Sequence, residues 1–191
     1  MAVKTMAVNS GGGKFEDGWH ELTISSAKYD TWVSRDGKEK RVIDLNFEGY
    51  PEKRRLRMFA VNNKETGEEF KIANLFRFAN AGILGVLKDP TGKKPVIQYD
   101  DEAENLVGKR LNVFFYKEQK IGNEYIQMFD TVAPVEQEGE HVSWTSEQVA
   151  SLKVSAEKNY HKLHGNITTA NNTLLKDTSA VNNTSSDDIP F

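Results

Sequence analysis

The hydrophobic period of this chain changes twice, and those changes limit the folds open to it. From Trp19 to Tyr29, Leu22 and Ile24 alternate with Thr23 and Ser25, the two-residue repeat of a strand with one buried face. Lys40–Tyr50 repeats the pattern, with Ile43, Leu45 and Phe47 on one side and Asp44, Asn46 and Glu48 on the other. Arg54–Val61 does so again, setting Leu56, Met58 and Ala60 against Arg55, Arg57 and Phe59. Asp36-Gly37 and Pro51-Glu52-Lys53 are the turns between these strands. Over 70–84 the period lengthens: Ile72, Leu75, Phe76, Ala79 and Ile83 recur at three- and four-residue spacing, which predicts a helix with one apolar face.

Asp89-Pro90 and Thr91-Gly92 mark a loop, Val96-Ile97 a short strand, and Asp101–Val107 a helical turn stopped by Gly108. The two-residue period then returns. Arg110–Tyr116 turns Leu111, Val113 and Phe115 inward, and Tyr125–Val132 turns Ile126 and Met128 inward, with Ile121-Gly122-Asn123 between them. Three strands, a helix and two strands is the order of a five-stranded Greek-key barrel, the oligonucleotide/oligosaccharide-binding fold. Another small β-meander, such as an SH3-like barrel, shares the strand content; the helix between the third and fourth strands favours the former. The expected domain spans 14–135, closed by Pro134 and the acidic run Glu136–Glu140.

Thr145-Ser146-Glu147-Gln148 is a capping box, in which the hydroxyl serves a free amide and Gln148 reaches back. It predicts a helix over 144–165 that runs to about Leu163 and stops at Gly165. Its thin stripe of Val149, Leu152, Ala156 and Leu163 suits docking on the barrel better than pairing with a second copy. Residues 1–13, ending Asn9-Ser10-Gly11-Gly12-Gly13, read as a flexible arm. Gly11-Gly12-Gly13-Lys14 lacks the spacing of a phosphate loop, and Phe15 stands where Ser or Thr is needed. Residues 166–191, rich in Asn, Thr and Ser, read as a disordered linker. Its reach is about 28 Å, at roughly 5–6 Å times the root of its length.

Composition excludes several functions. The 191 residues include no cysteine, so disulfides and thiolate chemistry are out. Met1–Val8 has no long apolar run, so the expectation is a cytoplasmic protein without a signal peptide or membrane span. The Asn-x-Ser/Thr triplets at Asn166, Asn171 and Asn183 are then incidental. Net charge is −3, but residues 1–165 hold 24 basic and 25 acidic residues, so a polyanion can still be met if the cations gather on one surface.

The outward strand positions offer what single-stranded nucleic acid requires, π-faces for bases and cations for phosphates. The outward aromatics are Phe59, Phe114, Tyr116, Tyr125 and Phe129, with Arg55 and Arg57 on the face of Phe59; Lys38, Lys40, Arg41, Lys53 and Arg54 crowd the ends of the first two hairpins, and Trp32 falls in the loop between the first two strands. Catalysis is not expected. Asp100, Asp101, Glu102 and Glu104 are of the type that ligates Mg²⁺, but four carboxylates on one short segment suit a helix start better. His161-x-x-His164 lacks a third ligand, and His20 and His141 stand alone. No cofactor or metal is expected.

Ser185-Ser186 leads into Asp187-Asp188-Ile189-Pro190-Phe191, two carboxylates followed by apolar residues, a hook for an apolar pocket rimmed by cations. This stretch resembles the acidic tip of bacterial-type single-stranded DNA-binding proteins. With the expected barrel and linker, it makes the chain similar to phage-encoded single-stranded DNA-binding proteins. The capped helix and the Asn/Thr-rich linker depart from the bacterial housekeeping type, so a tetramer does not follow. The resemblance implies nonspecific binding of single-stranded DNA in replication, recombination and repair, with partner enzymes recruited through Asp187–Phe191 in the (host) cytoplasm. A tethered acidic tail would also compete with DNA for a basic groove. A protein-interaction adaptor, an RNA-binding cold-shock-like module and weak duplex binding stay open at this point.

Overall fold

A computed structural model describes residues 16–88, 95–120 and 123–179. The arm at 1–13, the turns at Asp89–Gly92 and Ile121-Gly122, and the tip Asp187–Phe191 lie outside the described residues. The chain divides into two units, 1–153 and 154–191.

The first unit is mainly β. β1 (Gly18–Val33), β2 (Glu39–Phe47) and β3 (Leu56–Phe59) are followed by α1 (Lys71–Ala79), β4 (Ile83–Lys88) and β5 (Pro95–Tyr99). A 3₁₀ turn at Ala103–Leu106 leads to β6 (Arg110–Lys120), β7 (Asn123–Ala133) and α2 (Ser146–Ser179). Five strands form one antiparallel sheet in the order β3-β2-β1-β6-β7, and β4 and β5 pair separately. β1 pairs with β6 from Gly18 to Thr23 and with β2 from Ile24 to Val33, the β2 ladder shifting register between Ile24 and Ser26. No ladder joins β3 to β7 among the described residues, so the sheet is not closed.

The alternation expected from the sequence sets the inner face. Ile24, Ile43, Leu45, Phe47, Leu56 and Met58 from β1–β3 meet Leu111, Val113, Phe115 and Val132 from β6 and β7, all buried. α1 lays Ile72, Leu75, Phe76 and Ala79 into the same cluster. Glu69 starts this helix: its carboxylate accepts the amides of Lys71 and Ile72 at 2.8 Å and Ala73 at 3.0 Å, donors that a helix start leaves unpaired. Lys71 pairs with Asp130 of β7.

Two expectations are corrected. The helix expected over 70–84 ends at Ala79, because Asn80 turns left-handed at φ 50° and its amide caps Arg77 and Phe76. Ile83, four residues after Ala79, kept the helical period in sequence but begins β4. The helix expected to stop at Gly165 continues to Ser179, since one glycine inside a helix costs only about 1 kcal/mol relative to alanine. Of the expected linker, 166–179 is thus helical backbone, and 180–191 lies outside the described residues.

The capping box forms as expected: Gln148 accepts the Thr145 amide at 3.0 Å, and Thr145 accepts the Gln148 amide at 3.4 Å. Behind it, Val142, Trp144 and Val149 make a second apolar cluster with Phe78, Ile83, Ile97 and Leu152. In the second unit, the Tyr160 ring lies 4.4 Å from that of His164.

Removing the α1 cap is expected to destabilise the fold. Glu69→Ala should cost about 1–2 kcal/mol in urea unfolding, the usual range for a lost side-chain cap, and Glu69→Gln should cost less. A Glu69→Ala midpoint equal to that of the wild type would show that the carboxylate is not needed to hold the helix start.

Candidate nucleic-acid interface

On β1–β3 the rung Tyr29–Ile43–Met58 faces the core. The neighbouring rungs Lys28–Asp44–Arg57, Asp30–Val42–Phe59 and Trp32–Lys40 therefore face outward. Trp32 is a correction: expected in the loop after the first strand, it lies within β1, which runs on to Val33, and it meets Phe59 edge to face with centroids 5.5 Å apart. Val42, the cross-strand partner of Phe59, is fully buried and gives these rings an apolar floor. Trp32 stays 36% exposed, enough to leave part of its surface to a ligand. Lys28 and Lys40 are exposed on the same rungs.

Two arginines on this face are already engaged. Arg57 grips Asp44 through Nε and Nη2, both at 2.6 Å, and Nη2 also reaches Asp30 at 3.0 Å. Arg55 Nε lies 2.9 Å from the same Asp44. A two-pronged arginine–carboxylate pair fixes the guanidinium plane as well as its charge. The expected cations Arg55 and Arg57 are therefore present at the face, but matched by acid. Lys38, at the β1–β2 turn, pairs with Asp36 at 2.8 Å.

Arg41 pairs with Thr31 on the rung next to Trp32–Lys40, and its side chain is half-exposed. Its guanidinium stacks 3.9 Å over the Tyr29 ring and donates to Asp101 at 2.8 Å. Asp101 thus holds an arginine, while Asp100 accepts the Glu102 amide at 3.2 Å. Among the described residues, the buried hydroxyl of Tyr29 has no hydrogen-bond partner. Burial pushes its phenol up to about 12, against the opposing pull of Arg41.

Lys53, Arg54 and Arg55 converge elsewhere. With Phe115, Tyr125, Ile126, Gln127 and Met128 they line a cleft of about 320 Å³ between the approach to β3 and β7. Arg54 donates to the Ile126 carbonyl at 2.9 Å, a side-chain bond where the two strand edges share no ladder. Tyr125 is 43% exposed in this cleft.

The remaining expected aromatics lie on another stretch of the outer face. Phe114 is half-buried against Trp19, its β1 partner, at 5.3 Å, and Lys153 of α2 stands 5.6 Å over the Trp19 ring. Tyr116 is half-buried. Phe129 is a second correction: it points away from the core as expected but is only 6% exposed, edge to face with Tyr116 at 6.4 Å, so it offers no open π-face. Trp19 and Trp32 are about 40 Å apart along β1 at roughly 3.3 Å per residue.

The structure thus brings together Trp32, Lys40, Arg55, Arg57 and Phe59 on one face, and Lys53, Arg54, Arg55 and Tyr125 at one cleft. Reading the sequence missed Lys28, Asp30, Asp44 and Gln127 at these places. Alternation put Asp44 outward, but only strand register sets it beside Arg57. Among the described residues no helix is long and apolar enough to cross a membrane, and no group of three or more His, Asp or Glu is placed to hold a metal. No known family model matches the chain, and neither does any curated protein.

The Tyr29 phenol supplies an alkaline signature. Its folded value lies above the ordinary value near 10, so its contribution to stability is complete below pH 10 and is lost as the pH rises towards about 12. Absorbance titration at 295 nm should show a tyrosine ionising near 12 that Tyr29→Phe removes. All tyrosines ionising together near pH 10 in folded protein would contradict this.

Proposed function

We propose that this chain is a sequence-nonspecific single-stranded DNA-binding protein that acts by binding, not catalysis. The outward face of β1–β3 carries the reading. There the Trp32–Phe59 pair stands beside Lys28, Lys40 and Arg57, ring surfaces for bases with cations at phosphate reach. The fold reading that goes with it is an oligonucleotide-binding Greek-key barrel opened along one seam. Its support is the strand order, with β1 shared between β2 and β6, α1 between the third and fourth strands of the sheet, and Arg54 spanning from the approach to β3 to β7.

On this reading the strand runs across the Trp32–Phe59 shelf, and the Lys53–Arg55 cleft offers a second contact through Tyr125. The Trp19–Phe114–Tyr116–Phe129 group serves packing. The tip Asp187–Phe191 recruits replication and recombination proteins in the cytoplasm, as its resemblance to acidic tips implies.

Titration with oligothymidylate at several salt concentrations, read by intrinsic fluorescence, tests this. Of three tryptophans, Trp144 is only 6% exposed, so quenching should depend chiefly on Trp32. Trp32→Ala and Phe59→Ala should each weaken binding by about 5- to 150-fold, corresponding to roughly 1–3 kcal/mol per stacked base. Stronger binding of a matched RNA oligomer would favour the RNA-binding alternative, and no binding in low salt would leave the interaction adaptor.

A further inference from the structure

We propose that Asp44 is a resident phosphate stand-in: it occupies the guanidiniums of Arg55 and Arg57 and competes with a nucleic-acid phosphate for them, which sets how tightly the strand is held. This rests on the single-strand reading above. The Asp44 side chain is 16% exposed and is the hub of the face. One oxygen, Oδ2, meets Arg55 Nε at 2.9 Å and Arg57 Nη2 at 2.6 Å, while Oδ1 accepts from Arg57 Nε at 2.6 Å. Two parallel bonds from a guanidinium to two oxygens is also how arginine grips phosphate. Arg57 precedes Phe59 by two residues on the same outward side of β3, so a base stacked on Phe59 carries its phosphate close to this guanidinium.

The two arginines face two carboxylates, Asp44 and Asp30. These two guanidiniums are therefore matched in charge before any ligand arrives, and a phosphate gains contact with them by exchange with a carboxylate. An intramolecular competitor needs no encounter and is always present. Asp44 thus weakens the complex and eases release, as a protein that coats a strand and must later be stripped from it requires.

The test uses the full chain as wild type, Asp44→Asn, Asp44→Glu and Asp30→Asn, each titrated with oligothymidylate across a salt series and each checked by urea unfolding. Asp44→Asn should bind about 1.5- to fivefold tighter at low salt, the range of one charge pair at a protein surface. One more uncompensated charge should steepen the dependence of log affinity on log salt by about 0.7, the value per phosphate for single strands. Asp44→Glu should stay near wild type, and Asp30→Asn should move in the same direction as Asp44→Asn but less. A folded Asp44→Asn with equal or weaker binding and an unchanged salt slope would overturn the proposal and leave Asp44 as a support for the arginines. If Asp44→Asn does not fold, Asp30→Asn decides: its residue is 53% exposed, and an unchanged slope there overturns the proposal. A wild type that binds no oligothymidylate sinks the single-strand reading and this inference together, whereas binding that ignores these charges sinks the inference alone.

Discussion

The fold depends on one strand serving two neighbours. β1 gives Gly18–Thr23 to β6 and Ile24–Val33 to β2, and the β2 ladder shifts register between Ile24 and Ser26, one residue past the handover. Such an irregularity bends a strand and sharpens its twist. Here it lets the ladders on both sides of β1 turn Ile24, Leu45, Phe47, Leu111 and Val113 into one core.

That handover also divides the outer surface. Around β6 the outward rings pack on one another, as Phe114 does on Trp19 and Phe129 on Tyr116. Around β2 and β3 the outer rungs keep Trp32 partly open beside charged neighbours. The same chemical types therefore stand in two settings, and exposure separates a ring that packs from a ring that can bind. Charge follows a similar logic. Arg57 and Arg55 share one half-buried carboxylate, so these guanidiniums are oriented and matched by acid before a ligand arrives. Recognition would come from exchange and stacking more than from bulk attraction, which suits a chain of net charge −3.

Much of this was legible in the sequence. The alternation of Ile43, Leu45 and Phe47, of Leu56 and Met58, and of Leu111, Val113 and Phe115 gave the inward positions of the sheet, and Thr145 with Gln148 marked the start of α2. What escaped depends on three-dimensional placement. Ile83 satisfied the helical period, but the left-handed Asn80 had already ended α1. Arg41 reads as a cation among cations, yet cross-strand placement lays its guanidinium over Tyr29 and against Asp101. Phe129 alternates outward, but Tyr116 meets it there. The pairing of Asp44 with two arginines depends on cross-strand neighbours that no local pattern names, and the open seam between β3 and β7 depends on edges that meet only after the sheet curls.

The central claim is that the strand lies on the β1–β3 face. It is tested most directly by photocrosslinking the full chain to an oligothymidylate containing 5-iodouracil and mapping the modified peptides. The account predicts adducts at Trp32 or Phe59, lost when excess unmodified oligothymidylate is present. Adducts confined to the Trp19–Phe114 stretch, with none on β1–β3, would contradict it.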